Sequence, residues 1–136
     1  MYQDEQFVVS EVAGLTVAGL FGFTAAADDW CPEKVIVETR DHSRFGFYLS
    51  AFLGHWDAVN DIQYEELLRD YADLRRVDYC AMFRLSGSRI ESVQCARTTT
   101  GTEIRITLDR GRLILRTLVW DDPHSDSKIS FAALTA

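Results

Sequence analysis

Hydrophobic and polar residues alternate through residues 77–120, and three short turn sequences divide this region into four segments. The first two segments, residues 77–85 and 89–98, are rich in β-branched and aromatic side chains, which is typical of strands. Gly87 and Ser88 between them fit a type II′ turn, which requires glycine at its first central position. The resulting register creates these cross-strand pairs: Asp78–Arg97, Arg84–Glu91 and Cys80–Cys95. Because a shift by one residue would lose both charge pairs, we predict this hairpin.

Two further turns extend the hairpin into a four-stranded antiparallel meander. Gly101 and Gly111 each stand where a turn would need a positive φ. The predicted pairs across these two turns are Cys95–Ile106, Leu108–Leu113 and Arg105–Arg116. The meander therefore places two arginines directly opposite each other.

This register gives the meander two different faces. One face is apolar and is predicted to be core: Cys80, Met82, Val93, Cys95, Ile106, Leu108, Leu113 and Leu115. The second face is half apolar, whereas a solvated face of an antiparallel sheet is normally polar throughout. Its apolar members form a candidate interface that a second copy of the chain would cover: Tyr79, Phe83, Leu85, Ile114 and Leu118.

The remaining elements are a helix and strands that precede the meander. Asn60, followed by Gln63 three residues later, is a capping-box pattern that predicts the start of the helix. The apolar stripe of this helix has the i, i+3, i+4, i+7 spacing: Tyr64, Leu67, Leu68, Tyr71 and Leu74. Residues 34–40 and 45–52 flank a polar turn and predict a hairpin. In residues 6–23 the spacing of Val8, Val12, Leu15 and Gly19 is that of a helix, whereas three glycines and several β-branched residues favour two strands. We expect the helix to lie across the apolar face of the meander.

These elements predict a single α+β domain. Its antiparallel sheet combines the four-stranded C-terminal meander with an N-terminal hairpin, and one amphipathic helix packs across one face. The order of hairpin, helix and meander is similar to that of cystatin-like and NTF2-like cones after their opening helices, which implies a cone topology. No family motif accompanies this similarity in element order. At 136 residues the chain can bury a core without disulfides or metals.

The net charge of −7 is unevenly distributed along the chain. Residues 1–76 hold 14 acidic and six basic side chains, a net charge of −8, whereas residues 77–120 hold four acidic side chains and seven arginines, a net charge of +3. An acidic surface disfavours nucleic acid and anionic membranes and favours a basic protein partner. We therefore expect a protein partner, with no nucleic acid and no membrane.

The three cysteines, Cys31, Cys80 and Cys95, match neither a metal-binding spacing nor a disulfide framework. In the predicted register, Cys80 and Cys95 occupy a hydrogen-bonded pair, the wider kind, which does not favour a disulfide. We interpret both as reduced core thiols, which indicates a cytoplasmic protein. No motif calls for a cofactor.

Three groups of residues could carry chemistry. Arg105 and Arg116 could direct two guanidinium groups at a carboxylate or phosphate, although Glu103 is an alternative partner for them. His55 and Asp57 could act in acid–base chemistry, but no nucleophile motif accompanies them. The third group is a polar cluster without a calcium or zinc spacing, interpreted as a solvated turn rather than a metal site: Asp121, Asp122, His124 and Asp126.

These observations favour a non-enzymatic, small acidic protein-binding module of the immunity, inhibitor or adaptor type, acting as a homodimer. The acidic N-terminal half and the absence of a catalytic motif support it. The alternative is a small-molecule-binding or enzymatic α+β cone in which Arg105 and Arg116 grip an anionic ligand. An enclosed pocket lined by these arginines would distinguish the two.

Overall fold

The computed structural model describes residues 2–25, 29–50, 53–99, 101–118 and 127–134. The helices are α1 (Asp61–Asp70) and the short α2 (Tyr79–Phe83), with a 3-10 turn at Ser10–Val12. The strands are β1 (Tyr2–Asp4), β2 (Phe7–Val8), β3 (Val17–Thr24), β4 (Lys34–Thr39), β5 (Arg44–Ser50), β6 (Leu53–Ala58), β7 (Arg75–Asp78), β8 (Ile90–Thr98), β9 (Gly101–Leu108), β10 (Gly111–Thr117) and β11 (Ser127–Ala133). The fold is α+β, as predicted.

Two antiparallel sheets pack face to face, and helix α1 covers the outer face of one of them. The six-stranded sheet has the order β1-β6-β5-β4-β3-β7, and the five-stranded sheet has the order β11-β10-β9-β8-β2. The protein therefore has three layers, in the order helix, six-stranded sheet and five-stranded sheet. The expected single sheet is wrong, and the cone topology is not confirmed, because β7 leaves the meander to join β3 in the other sheet.

The main core lies between the two sheets. The six-stranded sheet contributes Val35 and Phe47, which meet Ile104 and Leu115 of the five-stranded sheet. The six predicted core residues on β8, β9 and β10 are all buried: Val93, Cys95, Ile106, Leu108, Leu113 and Leu115. The sheets approach closely at Gly54, where an added Cβ would overlap the Cys95 sulfur. This close approach explains why β6 carries a glycine in the core layer.

Helix α1 begins at the predicted capping box. The Asn60 side chain accepts a hydrogen bond from the Gln63 backbone N–H at 2.8 Å, and the Gln63 side chain accepts one from the Asn60 N–H at 2.9 Å. Four residues of the predicted apolar stripe pack on Phe21, Phe23 and Ile36, whereas the fifth, Leu68, is exposed: the four are Tyr64, Leu67, Tyr71 and Leu74. The predicted position on the meander is wrong, because that face is already covered by the six-stranded sheet.

The predicted hairpin between residues 77–85 and 89–98 does not form. Asp78 ends β7 and caps α2, where its carboxylate accepts a hydrogen bond from the Ala81 N–H at 3.0 Å. Arg84 ends α2 in the left-handed region, with φ of 58°, so neither residue is available for the predicted charge pairs. A helix of one turn therefore replaces the first predicted strand.

The other predicted hairpins form, with a different register in the meander. The hairpin at 34–40 and 45–52 is confirmed as β4 and β5. A four-stranded C-terminal meander forms from β8 to β11: three of its strands, β8 to β10, are predicted ones, and β11 takes the place of the first predicted strand. Cys95 lies opposite Ile104 instead of Ile106, and Leu108 lies opposite Gly111. Both shifts are by two residues, so the side chains of β9 and β10 stay on their predicted faces. Ile90, which the predicted alternation places on the second face, is instead buried in the core beyond a register shift in β8.

Candidate functional site

A cleft open to solvent separates helix α1 from the outer face of β4, β5 and β6. Its volume is about 400 Å³. Its lining combines charged, amide and aromatic side chains with two aliphatic ones: Lys34, Asp57, Val59, Gln63, Glu66, Leu67, Asp70 and Tyr71. Concave sites with a few convergent polar groups are where proteins most often bind ligands or partner side chains.

The floor of the cleft is an ion pair between β4 and β6, the two strands that flank β5. The Lys34 Nζ lies 3.4 Å from the Asp57 Oδ1, and the lysine side chain is 9% exposed. Between them in the sheet lies Gly46, opposite Asp57 in the register. A Cβ at Gly46 would come within 2.6 Å of the Lys34 Cε and 2.7 Å of the Asp57 Oδ1. The glycine therefore leaves the space in which the lysine stem crosses the sheet.

Two aromatic rings extend this polar cluster toward the edge of the sheet. Tyr48 and His55 lie opposite each other on β5 and β6, and their rings stack at 4.2 Å with an interplanar angle of 4°. Lys34 Nζ lies 5.6 Å from the centre of the Tyr48 ring, a cation–π contact. Burial, together with the nearby Asp57, raises the pKa of Tyr48. The sequence pair His55 and Asp57 therefore shares one face of β6, as i and i+2 residues must.

His55 is buried, and neither ring nitrogen has a hydrogen-bond partner among the residues that the structure describes. Burial, and to a smaller degree the Lys34 ammonium, lowers the pKa of His55. The ring does not line the cleft, so its position gives no support to acid–base chemistry with a bound molecule. His55 is therefore a buried ring that stacks on Tyr48, and its two nitrogens make no hydrogen bond to the described residues.

Helix α1 forms the opposite wall of the cleft. Gln63, Glu66 and Asp70 lie along one helical face, because their spacing of three and four residues follows the helical period. Tyr71 follows at the end of the helix, where its ring stacks on Phe23 at 5.2 Å. Burial raises the pKa of Tyr71. The wall is thus acidic along its length and aromatic at its C-terminal end.

The charges of the cleft favour a cationic group. Asp57, Glu66 and Asp70 contribute three carboxylates, and the Lys34 ammonium lies beside the first of them. The two helix carboxylates therefore give the opening a negative potential, which attracts a lysine or arginine side chain. Sequence reasoning missed Lys34 and Glu66, although a lysine at the start of the buried segment KVIV was an available signal.

The two arginines predicted as an anion site lie on the outer face of the five-stranded sheet. They are not opposite each other, because Arg116 pairs with Glu103 and Arg105 pairs with Ile114. Glu103 lies between them, with its Oε2 at 3.3 Å from the Arg105 Nε and 3.7 Å from an Arg116 Nη. A carboxylate of the chain itself therefore stands where an anionic ligand would bind.

The five residues of the predicted interface do not form one surface. Tyr79 and Leu85 are fully buried, and Phe83 is partly buried on α2. Only Ile114 and Leu118 lie on or beside the outer face of the five-stranded sheet, and Leu118 is 50% exposed. The reason is the replacement of the first predicted strand by α2, which directs its aromatic side chains into the core.

The predicted reduced thiols are free cysteines, and Cys80 and Cys95 are buried. Burial raises the pKa of Cys95 to about 12 and also raises the pKa of Cys80, so neither forms a thiolate readily. The polar cluster of residues 121–126 lies outside the described residues. In the part of the chain that is described, His, Cys, Asp and Glu nowhere gather in a group of three or more that could hold a metal ion.

The fold and the cleft define a three-layer α+β protein with an acidic groove beneath its longer helix. No protein-family model matches the chain, no curated protein is significantly similar to it, and no solved structure matches its fold. Neither described helix has the length and apolar character needed to cross a bilayer.

Proposed function

We propose that this chain is a non-enzymatic binding module that recognises a basic segment of a partner protein through helix α1 and the cleft beneath it. The observation that carries the proposal is the pair of helix carboxylates, Glu66 and Asp70, on the wall of a cleft of about 400 Å³. A lysine or arginine side chain of the partner would enter this cleft. Tyr71 would contact the aliphatic or guanidinium part of that side chain.

The surface around the cleft supports the same class of partner. Between residues 57 and 73 the chain holds six acidic side chains and a single arginine. Most of these positions are exposed on α1, where they would accelerate the approach of a basic protein and weaken its binding at high salt. Charge complementarity would therefore orient the partner on helix α1 and make its binding depend on salt.

Exposed apolar side chains accompany the acids on the same helix. Ile62 is 71% exposed and Leu68 is 37% exposed. Apolar residues that remain exposed among charged neighbours are typical of interaction surfaces, where they become the desolvated centre of the contact. An inhibitor or immunity protein acting on a basic target is one concrete form of this proposal, and the free cysteines support a cytoplasmic location.

The test compares the wild-type chain with Glu66→Lys/Asp70→Lys in affinity capture from native lysate, followed by binding of the purified partner. We expect a specific basic protein, retained by the wild type and released by salt. The double variant should bind it at least about tenfold more weakly, since two reversed charges remove more than about 1.4 kcal/mol.

A matched control carries the same change of charge away from the helix. Glu11 and Glu91 are both exposed and lie on other elements, so Glu11→Lys/Glu91→Lys should retain binding. Equal binding by both double variants, or capture of acidic proteins only, would contradict the proposal.

A further inference from the structure

We infer that the outer face of the five-stranded sheet is a second docking surface, and that its occupant is helix α1 of another copy of this chain. The contact is head to tail, because the acidic helix of one copy meets the basic sheet of the next. The inference does not depend on the proposed basic partner, since it concerns the purified chain alone.

The outer face of the five-stranded sheet is basic. Its position follows from the register, in which odd-numbered residues of β9 and even-numbered residues of β10 and β11 point away from the core. Among the described residues of β9, β10 and β11, the charged side chains on this face comprise four cations and one carboxylate: Glu103, Arg105, Arg112, Arg116 and Lys128. Glu103 already pairs with Arg105 and Arg116. These three strands therefore carry a net charge of +3 on this face, in a protein whose total charge is −7.

The acidic and basic surfaces lie on opposite sides of the molecule. Helix α1 covers the outer face of the six-stranded sheet, and the basic surface is the outer face of the five-stranded sheet. Helix and sheet layers stack at roughly 10 Å each, so the two surfaces are on the order of 20 Å apart. That distance exceeds the Debye length of about 8 Å at physiological ionic strength. One copy therefore cannot neutralise its own surfaces, whereas two copies can neutralise each other's.

The two surfaces also match in shape and in apolar content. An exposed helix of 10 residues is about 15 Å long and would cross about three strand-to-strand spacings of the sheet. Ile62 and Leu68 on the helix would meet Ile114 and the exposed Leu118 beside the arginines. Helix on sheet is a standard layer packing, and this sheet face has large exposed side chains. The candidate interface predicted from the sequence thus retains two of its five residues.

A head-to-tail contact has a consequence that a symmetric dimer lacks. Each copy keeps one unused helix and one unused sheet face, so the assembly grows with concentration unless the rotation closes a ring. Because the contact occupies α1, a basic partner bound at the cleft would compete with self-association. The two events are therefore mutually exclusive on any one helix.

The experiment is sedimentation velocity on the purified chain at about 20 mM and about 500 mM NaCl, over a concentration series. We expect the average mass to rise with concentration at low salt and to return to that of the monomer at high salt. Arg112→Gln/Lys128→Gln neutralises part of the basic face, and Glu65→Gln/Glu66→Gln neutralises part of the acidic one. Each double variant alone should lower the association constant at least about tenfold. A mixture of the two should form a discrete one-to-one dimer, because only one complementary contact remains.

Matched variants separate this contact from an effect of net charge. Arg40→Gln/Arg89→Gln and Glu11→Gln change exposed residues outside helix α1 and outside the strands of the five-stranded sheet, and these variants should associate as the wild type does. Circular dichroism and thermal unfolding establish that each variant is folded. A wild-type chain that stays monomeric at low salt, or a mixture that yields no dimer, would overturn the inference.

Discussion

We expect the variant His55→Phe to be more stable than the wild type, because the ring nitrogens of His55 have no hydrogen-bond partner among the described residues. Phenylalanine keeps a planar ring that can stack on Tyr48, and it removes two buried nitrogens that lack partners in the described chain. A buried polar group without a hydrogen bond costs about 1–3 kcal/mol. Because β6 lies one strand from the edge of its sheet, we take the lower limit. The free energy of unfolding near neutral pH should rise by about 1 kcal/mol.

Acid pH should enlarge this difference. Burial and the Lys34 ammonium lower the pKa of His55 in the folded chain. As the pH falls below about 6.5, the unfolded chain takes up a proton that the folded chain does not, so the wild type loses stability. One pH unit below that value the loss reaches at most about 1.4 kcal/mol, and His55→Phe does not suffer it. Tyr48 stacks on the same ring, Asp57 lies on the same face of β6, and both are unchanged in the variant.

Urea denaturation of both proteins at about pH 7.5 and about pH 5.5 measures the effect. His42→Asn is the control, because His42 is exposed and asparagine tolerates its φ of 68°. This control should keep the pH dependence of the wild type. Parallel stability curves for the wild type and His55→Phe would refute the reasoning, and so would a variant less stable than the wild type at both pH values.

Three further predictions concern single contacts, each checked by urea denaturation. Gly54→Ala should destabilise the fold by about 1–3 kcal/mol, because its Cβ would overlap the sulfur of Cys95. Adding Cys95→Ala should recover part of the lost stability. Equal stability of Gly54→Ala and the wild type would contradict this reasoning. Asn60→Ala should cost about 1 kcal/mol by removing the N-cap acceptor, whereas Asn60→Ser should cost less; equal losses would contradict the capping role. Glu103→Gln should lower the free energy of unfolding by about 1–3 kcal/mol. It should also give Arg105 and Arg116 a measurable affinity for inorganic phosphate, which we expect the wild type to lack. Unchanged phosphate binding would contradict the ion-pair interpretation.

Features fixed by neighbouring residues could be predicted from the sequence. The capping box at Asn60 forms because its two partners are three residues apart and their hydrogen bonds need no other element. The faces of β9 and β10 were also correct, because side chains in a strand alternate with a period of two whatever the exact register is. A shift of two residues changed the cross-strand partners of Arg105 and left its direction unchanged.

Features that depend on distant strands could not be predicted in this way. Gly111 has a positive φ, 156°, as its place at the turn predicted. It also begins β10, where an added Cβ would overlap the Ala132 carbonyl oxygen on β11. This second reason for a glycine, a close approach of the last strand, is one that no local pattern indicates. Likewise Asp78 pairs with Phe21 across the six-stranded sheet, so the segment that begins there could not continue toward Arg97.

The candidate site illustrates the same division between local and distant information. The acidic character of residues 57–73 is evident from composition, but the cleft exists only because β4, β5 and β6 present Lys34 and Asp57 beneath the helix. Charge counts along the chain likewise predicted a negative first half and a positive meander. They did not indicate that the acidic helix and the basic sheet face lie on opposite sides of the molecule. The layer order turns that difference along the sequence into a separation across the molecule, which local charge pairs cannot cancel at physiological salt. A surface charge that the fold leaves uncompensated on each side is one that a second molecule can neutralise, so the layer order, rather than the net charge, supports both proposed contacts.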